Sequence, residues 1–210
     1  MMKKLSTLIA DLEEVEVAPA VRRMLEAGVD ALDIVEEIRA GMEIVGQRYE
    51  REEYFLSEML VAAEAAQSAM QLVKPRLTAK PTSLGRVVIG TVQGDIHTIG
   101  KNMVASFLEC EGFTVYNVGE DVTPEIFLGK VKEVGAEILA MSTLMTGGVE
   151  YLKITVKLLE DEGLRGKVRV LVGGNPFFIN PERWLEEIGG DAYGRDCREA
   201  VKKARELVGG

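Results

Sequence analysis

The sequence predicts two fold classes in series: an all-α four-helix bundle over residues 1–80, then an α/β domain with a five-stranded parallel sheet over residues 86–210. Three observations carry this. Up to Val73 the chain reads as helices only, with apolar residues recurring at three- and four-residue spacing, the mark of amphipathic helices. A segment with two prolines and a glycine, Lys74 to Gly85, then breaks the pattern. From Arg86 onward, short apolar runs alternate with helical patterns, which makes a parallel sheet covered on both faces.

The helical elements follow in order. Leu5, Leu8, Ile9 and Leu12 share one face. A second segment follows Pro19 with Val21, Met24 and Leu25. A third carries Leu32, Val35, Ile38, Met42, Val45 and Tyr49, with Asp30 or Asp33 placed to cap it. The fourth, from about Tyr54 to Val73, puts Phe55, Met59, Leu60, Ala63, Ala66 and Met70 on one side, and its alanines permit close helix approach. The stretch from Pro75 to Gly85 is read as a linker and hinge.

In the second half, strands are expected at Val87–Val92, Phe113–Val118, Ile138–Met141, Val168–Val172 and Asp191–Tyr193. Helices are expected at Ile99–Cys110, Pro124–Val134, Gly148–Leu159, Pro181–Ile188 and Cys197–Val208. Crossovers between the parallel strands are right-handed.

Composition bounds the function. A chain of 210 residues, 47% hydrophobic and 28% charged, has the content of an ordinary globular protein with a sizeable core. The net charge of −9, with no basic block, argues against nucleic acid and against anionic membrane surfaces. Two cysteines, Cys110 and Cys197, without CxxC spacing predict free thiols in a reducing, cytoplasmic compartment. The start is basic, but Asp11 interrupts its apolar run, so no signal peptide is expected. No apolar run approaches the ~20 residues of a membrane span.

Open parallel sheets bind ligands at the carboxyl ends of their strands. The loops expected there are rich in glycine and small polar residues: Gln93–Gly100, Asn117–Val122, Ser142–Gly148, Gly173–Pro176 and Gly194. The first holds the only histidine, His97, with Asp95 two residues before it. A carboxylate there is placed to orient the ring, as the partners of metal-bound histidines do. On the residues alone, an ordinary loop histidine stays open beside a liganding one. The glycines are too widely spaced for GxGxxG, Gly94 to Gly100 is one residue too long for a P-loop, and HExxH, GxSxG and a second histidine are absent. One histidine cannot build a zinc site alone, but it can supply one axial ligand to a metal held by a macrocycle.

Asp95-x-His97-x-x-Gly100, followed by Ser142-x-Leu144 and Gly173-Gly174, resembles the cobalamin-binding signature of corrinoid-dependent methyltransferases. The segments Gly41–Tyr49 and Glu53–Leu60 resemble the helical cap of the same family. The resemblance is nearest to the small corrinoid proteins that work with methylamine, methanol or aryl-ether methyltransferases, and the cobalamin module of methionine synthase has the same layout. It implies a Rossmann-like, flavodoxin-like sheet domain.

It also implies roles, residue by residue. Cobalamin would bind base-off, with His97 as the metal ligand on cobalt and Asp95 behind its ring; these two are the candidate catalytic residues. Gly94, Ile96, Thr98 and Ile99 complete that loop. Gly100, Ser142, Leu144, Gly173 and Gly174 would line the slot for the nucleotide tail. Asp121, Val122, Thr146, Tyr193 and Gly194 would complete the cofactor-binding edge. In the cap, Tyr49, Leu56 and Met59 would lie over the upper face, with Tyr49 and Leu56 on one helical face if the helix is continuous.

Two positions depart from the family. Gly148 stands where methionine synthase extends the His–Asp pair with a serine, which leaves Thr146 as a candidate substitute, and Thr98 replaces an acidic residue. The implied function is a non-catalytic carrier subunit that moves a methyl group on cobalt. Its partners would be a substrate-specific corrinoid methyltransferase, a second methyltransferase to coenzyme M or tetrahydrofolate, and a reductive activation protein. A cobalamin-binding sensor, a mutase-type domain and a flavodoxin-like module without corrin are the rival readings.

Overall fold

A computed structural model describes residues 3–76, 83–174, 176 and 180–209. The chain divides into two compact units, one of residues 1–82 with Cys110–Gly112, the other of Ser83–Glu109 and Phe113–Gly210.

The first unit is helical: α1 (Leu5–Ala10), α2 (Glu14–Glu26), α3 (Ala31–Glu50) and α4 (Leu56–Val73), closed by a 3-10 turn at Lys74–Arg76. Helix α2 starts before Pro19 rather than after it. Pro19 is thus the sixth residue of the helix, and its missing N–H leaves the Val15 carbonyl without its i→i−4 donor. The buried stripe of α3 is Ile34, Ile38, Met42 and Val45; Val35 is half-buried, and the side chain of Leu32 lies outside what is described. Gly41 matters to α1: a Cβ there would meet Ile9 Cβ and the Ser6 carbonyl, both at 2.9 Å. The alanines of α4 (Ala62, Ala63, Ala65, Ala66, Ala69) are buried as the sequence suggested. Residues 77–82, which hold most of the expected hinge, lie outside the described residues.

The second unit alternates as expected, with boundaries moved by a residue or two. Its strands are β1 (Arg86–Thr91), β2 (Thr114–Asn117), β3 (Ile138–Ser142), β4 (Arg169–Gly173) and β5 (Ala192–Gly194). Its helices are α5 (Ile99–Glu111), α6 (Pro124–Val134), α7 (Gly148–Asp161), α8 (Pro181–Ile188) and α9 (Cys197–Leu207). The strands pair in parallel in the order β2-β1-β3-β4-β5. The central strands are apolar and buried on both faces, as a helix-covered sheet requires. One core holds Val88, Phe127, Leu139, Leu152 and Val170; the other holds Val87, Ile89, Leu108, Ile138 and Leu171.

This order reverses between β1 and β3, so the crevice of the fold opens between the loops that follow those two strands. Those loops are Val92–Thr98 and Thr143–Gly147.

Candidate functional site

The site is built on Asp95, whose side chain is fully buried at the end of β1. Its Oδ1 accepts the His97 backbone N–H at 2.9 Å and pairs with the His97 ring Nδ1 at 2.7 Å. Its Oδ2 accepts the Thr143 hydroxyl at 2.7 Å and the backbone N–H groups of Leu144 at 2.7 Å and Met145 at 3.3 Å. Burial pushes this carboxyl up. The hydrogen bonds from the His97 N–H, the Thr143 hydroxyl, the His97 ring and the Leu144 N–H outweigh burial and hold it well below the usual carboxylate range. Asp95 is therefore an anion.

That anion orients the histidine. A carboxylate only accepts, so Nδ1 carries the proton and the neutral ring has its lone pair on Nε2. The backbone of His97 is held as well, because the buried Thr91 hydroxyl donates to its carbonyl at 3.1 Å. The His97 side chain is 53% exposed, so Nε2 is available to a ligand. Around it stand apolar side chains that a folded domain normally hides: Ile96 at 73% exposure, Ile99 at 57%, Met145 at 49% and Leu144 at 46%. An apolar rim about an accessible nitrogen marks a place for a large, largely apolar ligand. Among the described residues no three His, Cys, Asp or Glu side chains converge.

The loop backbone has a second support. Asp121 Oδ1 accepts the Gly94 N–H at 2.8 Å, and the Asp121 N–H donates to the Asp95 carbonyl at 3.1 Å. Both residues are left-handed, Gly94 at φ 81° and Asp121 at φ 53°. Position 94 needs glycine for that φ, not for space, since an added Cβ would touch only Tyr151 Cε2 at 3.9 Å.

The other expected site residues differ in burial and surroundings. Val122 is buried; it pairs with Val92 in an isolated bridge and packs into a core cluster. The hydroxyl bonded to Asp95 comes from Thr143, not from Thr146, which is exposed. A side chain at Gly148 would run into the Thr143 hydroxyl, and one at Gly174 into the Thr143 backbone, so both glycines make room for Thr143. Gly194 is buried, and a Cβ there would meet Ala200 Cα at 2.7 Å. Gly100 faces open space, and Gly173 is nearly open, an added Cβ meeting only the Gly194 carbonyl at 3.5 Å. Ser142, Thr98 and Tyr193 are half-buried at the same sheet edge, which also carries the loop of Ile96 and Ile99. Asn175 lies outside the described residues.

In the helical unit, α3 ends at Glu50 and α4 begins at Leu56, so Tyr49 and Leu56 do not share a continuous helix. Arg48 and Tyr54 hold the intervening turn: the Tyr54 hydroxyl donates to the Ala10 carbonyl at 2.7 Å and Arg48 Nη2 pairs with Asp11 at 3.0 Å. Leu56 is exposed, Tyr49 is half-buried and Met59 is buried.

Residue reasoning missed Thr91, Thr143, Lys101 and Asn117. The buried Lys101 donates to Asn102 Oδ1 at 2.6 Å and Asn117 Oδ1 at 2.7 Å, and Asn117 Oδ1 also accepts the Gly119 N–H. Burial pulls this amine below its ordinary value, only partly offset by Glu120. The one legible signal was position: Thr143 sits between the two motif residues Ser142 and Leu144.

The chain is similar to known proteins. Residues 85–202 match the model of a B12 binding domain, and residues 1–74 match a second model of that description. Trimethylamine corrinoid protein 1 of Methanosarcina acetivorans is 37% identical over 99% of this chain and 97% of its own length. The dimethylamine corrinoid protein of Methanosarcina barkeri is 39% identical over 90% of this chain and 89% of its own. Among solved structures, a cobalamin-binding protein from Desulfitobacterium hafniense DCB-2 is 32% identical with a TM-score of 0.76, covering 98% of this chain and 97% of that one. A chain of the methanol:cobalamin methyltransferase complex MtaBC from M. barkeri is 27% identical with a TM-score of 0.84, over 99% of this chain and 79% of that one. A helical unit followed by a flavodoxin-order sheet, matched over nearly its whole length by such relatives, makes this chain a member of the corrinoid-protein family.

Proposed function

We propose that this chain is a methyl carrier, the corrinoid subunit that accepts a methyl group from a substrate-specific methyltransferase and presents it to a second methyltransferase acting on coenzyme M or tetrahydrofolate. The observation that carries the reading is the Asp95–His97 pair: a buried anion on Nδ1 that leaves Nε2 open on an exposed ring. The names of the methylamine corrinoid relatives and of the methanol:cobalamin methyltransferase complex support it. A reductive activation protein is the third partner, and the cytoplasm is the compartment; no helix among the described residues is long and apolar enough to cross a membrane.

The residues fit a corrinoid. His97 Nε2 would hold the cobalt of a bound corrinoid, in place of the cofactor's own base. Ile96, Ile99, Leu144 and Met145 give apolar contact, and the open space at Gly100 and Gly173 lets a flat group lie against the main chain. When bound, the corrinoid supplies a cobalt centre able to take up and release a methyl group. The protein's part is to fix the tautomer of His97 through Asp95 and to keep the imidazole a good donor by placing a negative charge behind it. Thr143 and the Leu144 and Met145 N–H groups hold that charge in place.

The test is to incubate the purified protein with hydroxocobalamin, desalt it, record the visible spectrum, then reduce to Co(II) for EPR. Retained corrin with a base-off, nitrogen-split signal from the protein, lost in His97→Ala while corrin is still retained, is the expected result. Slower methyl transfer accompanies it. No retained corrin in the wild type overturns the reading, and a nitrogen splitting unchanged in His97→Ala moves the ligand elsewhere.

A further inference from the structure

We infer that Asp121 is a positioning residue that sets the His97 loop in its ligating shape before any cofactor arrives; the inference rests on the reading of His97 as cobalt ligand. Asp121 lies on the loop after β2, and its hydrogen bonds go neither to the imidazole nor to the Asp95 carboxylate. Its contacts are with the main chain on either side of the Gly94–Asp95 peptide: its Oδ1 accepts the Gly94 N–H at 2.8 Å and its own N–H donates to the Asp95 carbonyl at 3.1 Å. These two bonds form a clasp around the residue from which both His97 contacts depart.

The clasp is anchored on its far side. The Gly119 carbonyl accepts the Thr91 N–H at 3.0 Å, the Val122 N–H donates to the Thr91 carbonyl at 3.0 Å, and Val122 bridges to Val92. Lys101 and the Gly119 N–H both donate to Asn117 Oδ1, which ties the start of this loop to α5. The loop that carries Asp121 is thus fixed to β1 and α5, and Asp121 transmits that fixity to the His97 loop. Its left-handed backbone, φ 53°, is an uncommon conformation for a residue with a side chain and persists where surrounding bonds over-determine it. Asparagine satisfies both demands, since it accepts through Oδ1 and tolerates that φ. Glycine satisfies only the backbone demand. Alanine satisfies neither.

The experiment therefore compares wild type with Asp121→Asn, Asp121→Gly and Asp121→Ala in two states. In the cofactor-free protein, amide exchange is read at Gly94 and His97. In protein loaded with hydroxocobalamin and reduced to Co(II), EPR reads the nitrogen splitting from His97. Loss of one charge-assisted bond predicts about tenfold faster exchange at Gly94 and a loss of the histidine-ligated fraction in Asp121→Gly and Asp121→Ala. Asp121→Asn restores both. Glycine keeps the fold safe, so a misfolded alanine variant leaves the test intact. Exchange and splitting unchanged in Asp121→Gly overturn the proposal, as does failure of Asp121→Asn to rescue. If the wild type retains no corrin, the methyl-carrier reading falls, and unchanged Gly94 exchange in cofactor-free Asp121→Gly would still reject the clasp separately.

Discussion

The Thr143 hydroxyl occupies the space that a side chain at Gly148 would take. The two positions exclude one another, and in this chain the hydroxyl that backs Asp95 comes from 143. Gly148→Ala drives a Cβ into Thr143 and against Val92 Cγ2 at 3.1 Å, and is expected to cost about 1–3 kcal/mol by overpacking. In a Thr143→Ala background the same substitution costs less, and the coupling read from a double-mutant cycle by urea unfolding has the sign of a relieved clash.

Thr143→Val keeps the shape and removes the donor. Asp95 Oδ2 then keeps only the Leu144 and Met145 N–H groups, and stability falls by ~1–2 kcal/mol, while Thr143→Ser falls less. Thermal unfolding of the three proteins at one pH checks the order.

Acid stability depends on the same carboxylate. Asp95 sits below its ordinary value in the native state, so the unfolded chain binds the proton more readily. Its contribution is complete above the unfolded carboxyl's titration near pH 4 and drains away as pH falls through the lower native value. Asp11 and Glu137 shift the same way, but they are partly exposed and screened. Asp95→Asn is expected to be less stable at pH 7 and to lose less between pH 5 and pH 2, as urea midpoints across that range will report.

Lys101 has the opposite dependence. A buried amine held by two amide oxygens has its native value lowered, so between that value and the unfolded 10.5 the unfolded chain holds the extra proton and stability rises with pH. Asn117→Asp gives the ammonium a carboxylate, flattens this rise and raises the melting temperature at pH 7. A melting temperature that falls at pH 7 would refute the account.

Both thiols are buried, and burial pushes Cys197 up to about 12. Native protein at pH 7 should leave Cys110 and Cys197 unreacted with a disulfide reagent over minutes, and unfolding should release two equivalents.

The sheet was legible because alternation of β-branched runs and helical stripes survives small boundary errors: Pro124–Val134 and Pro181–Ile188 begin at prolines and stand where expected. Pro19 misled because a proline was read as a helix start, whereas α2 runs on both sides of it and carries it inside, at the cost of one backbone hydrogen bond. The Asp95–His97 pair was visible from a two-residue spacing. Thr143 was not, because its partner lies 48 positions away and its hydroxyl reaches Asp95 only through the β1–β3 pairing. Tyr49 and Leu56 looked like one helical face because spacing alone does not reveal a turn between them.

Three of the five bonds that the Asp95 carboxylate receives come from peptide N–H groups, at positions 97, 144 and 145. Replacing the side chains at 144 and 145 leaves those donors in place. The shape of the rim at Leu144 and Met145 is thus free to change, while the charge behind the imidazole stays constant. In this fold, electrostatics is written in the main chain and fit in the side chains, so one can be retuned without disturbing the other.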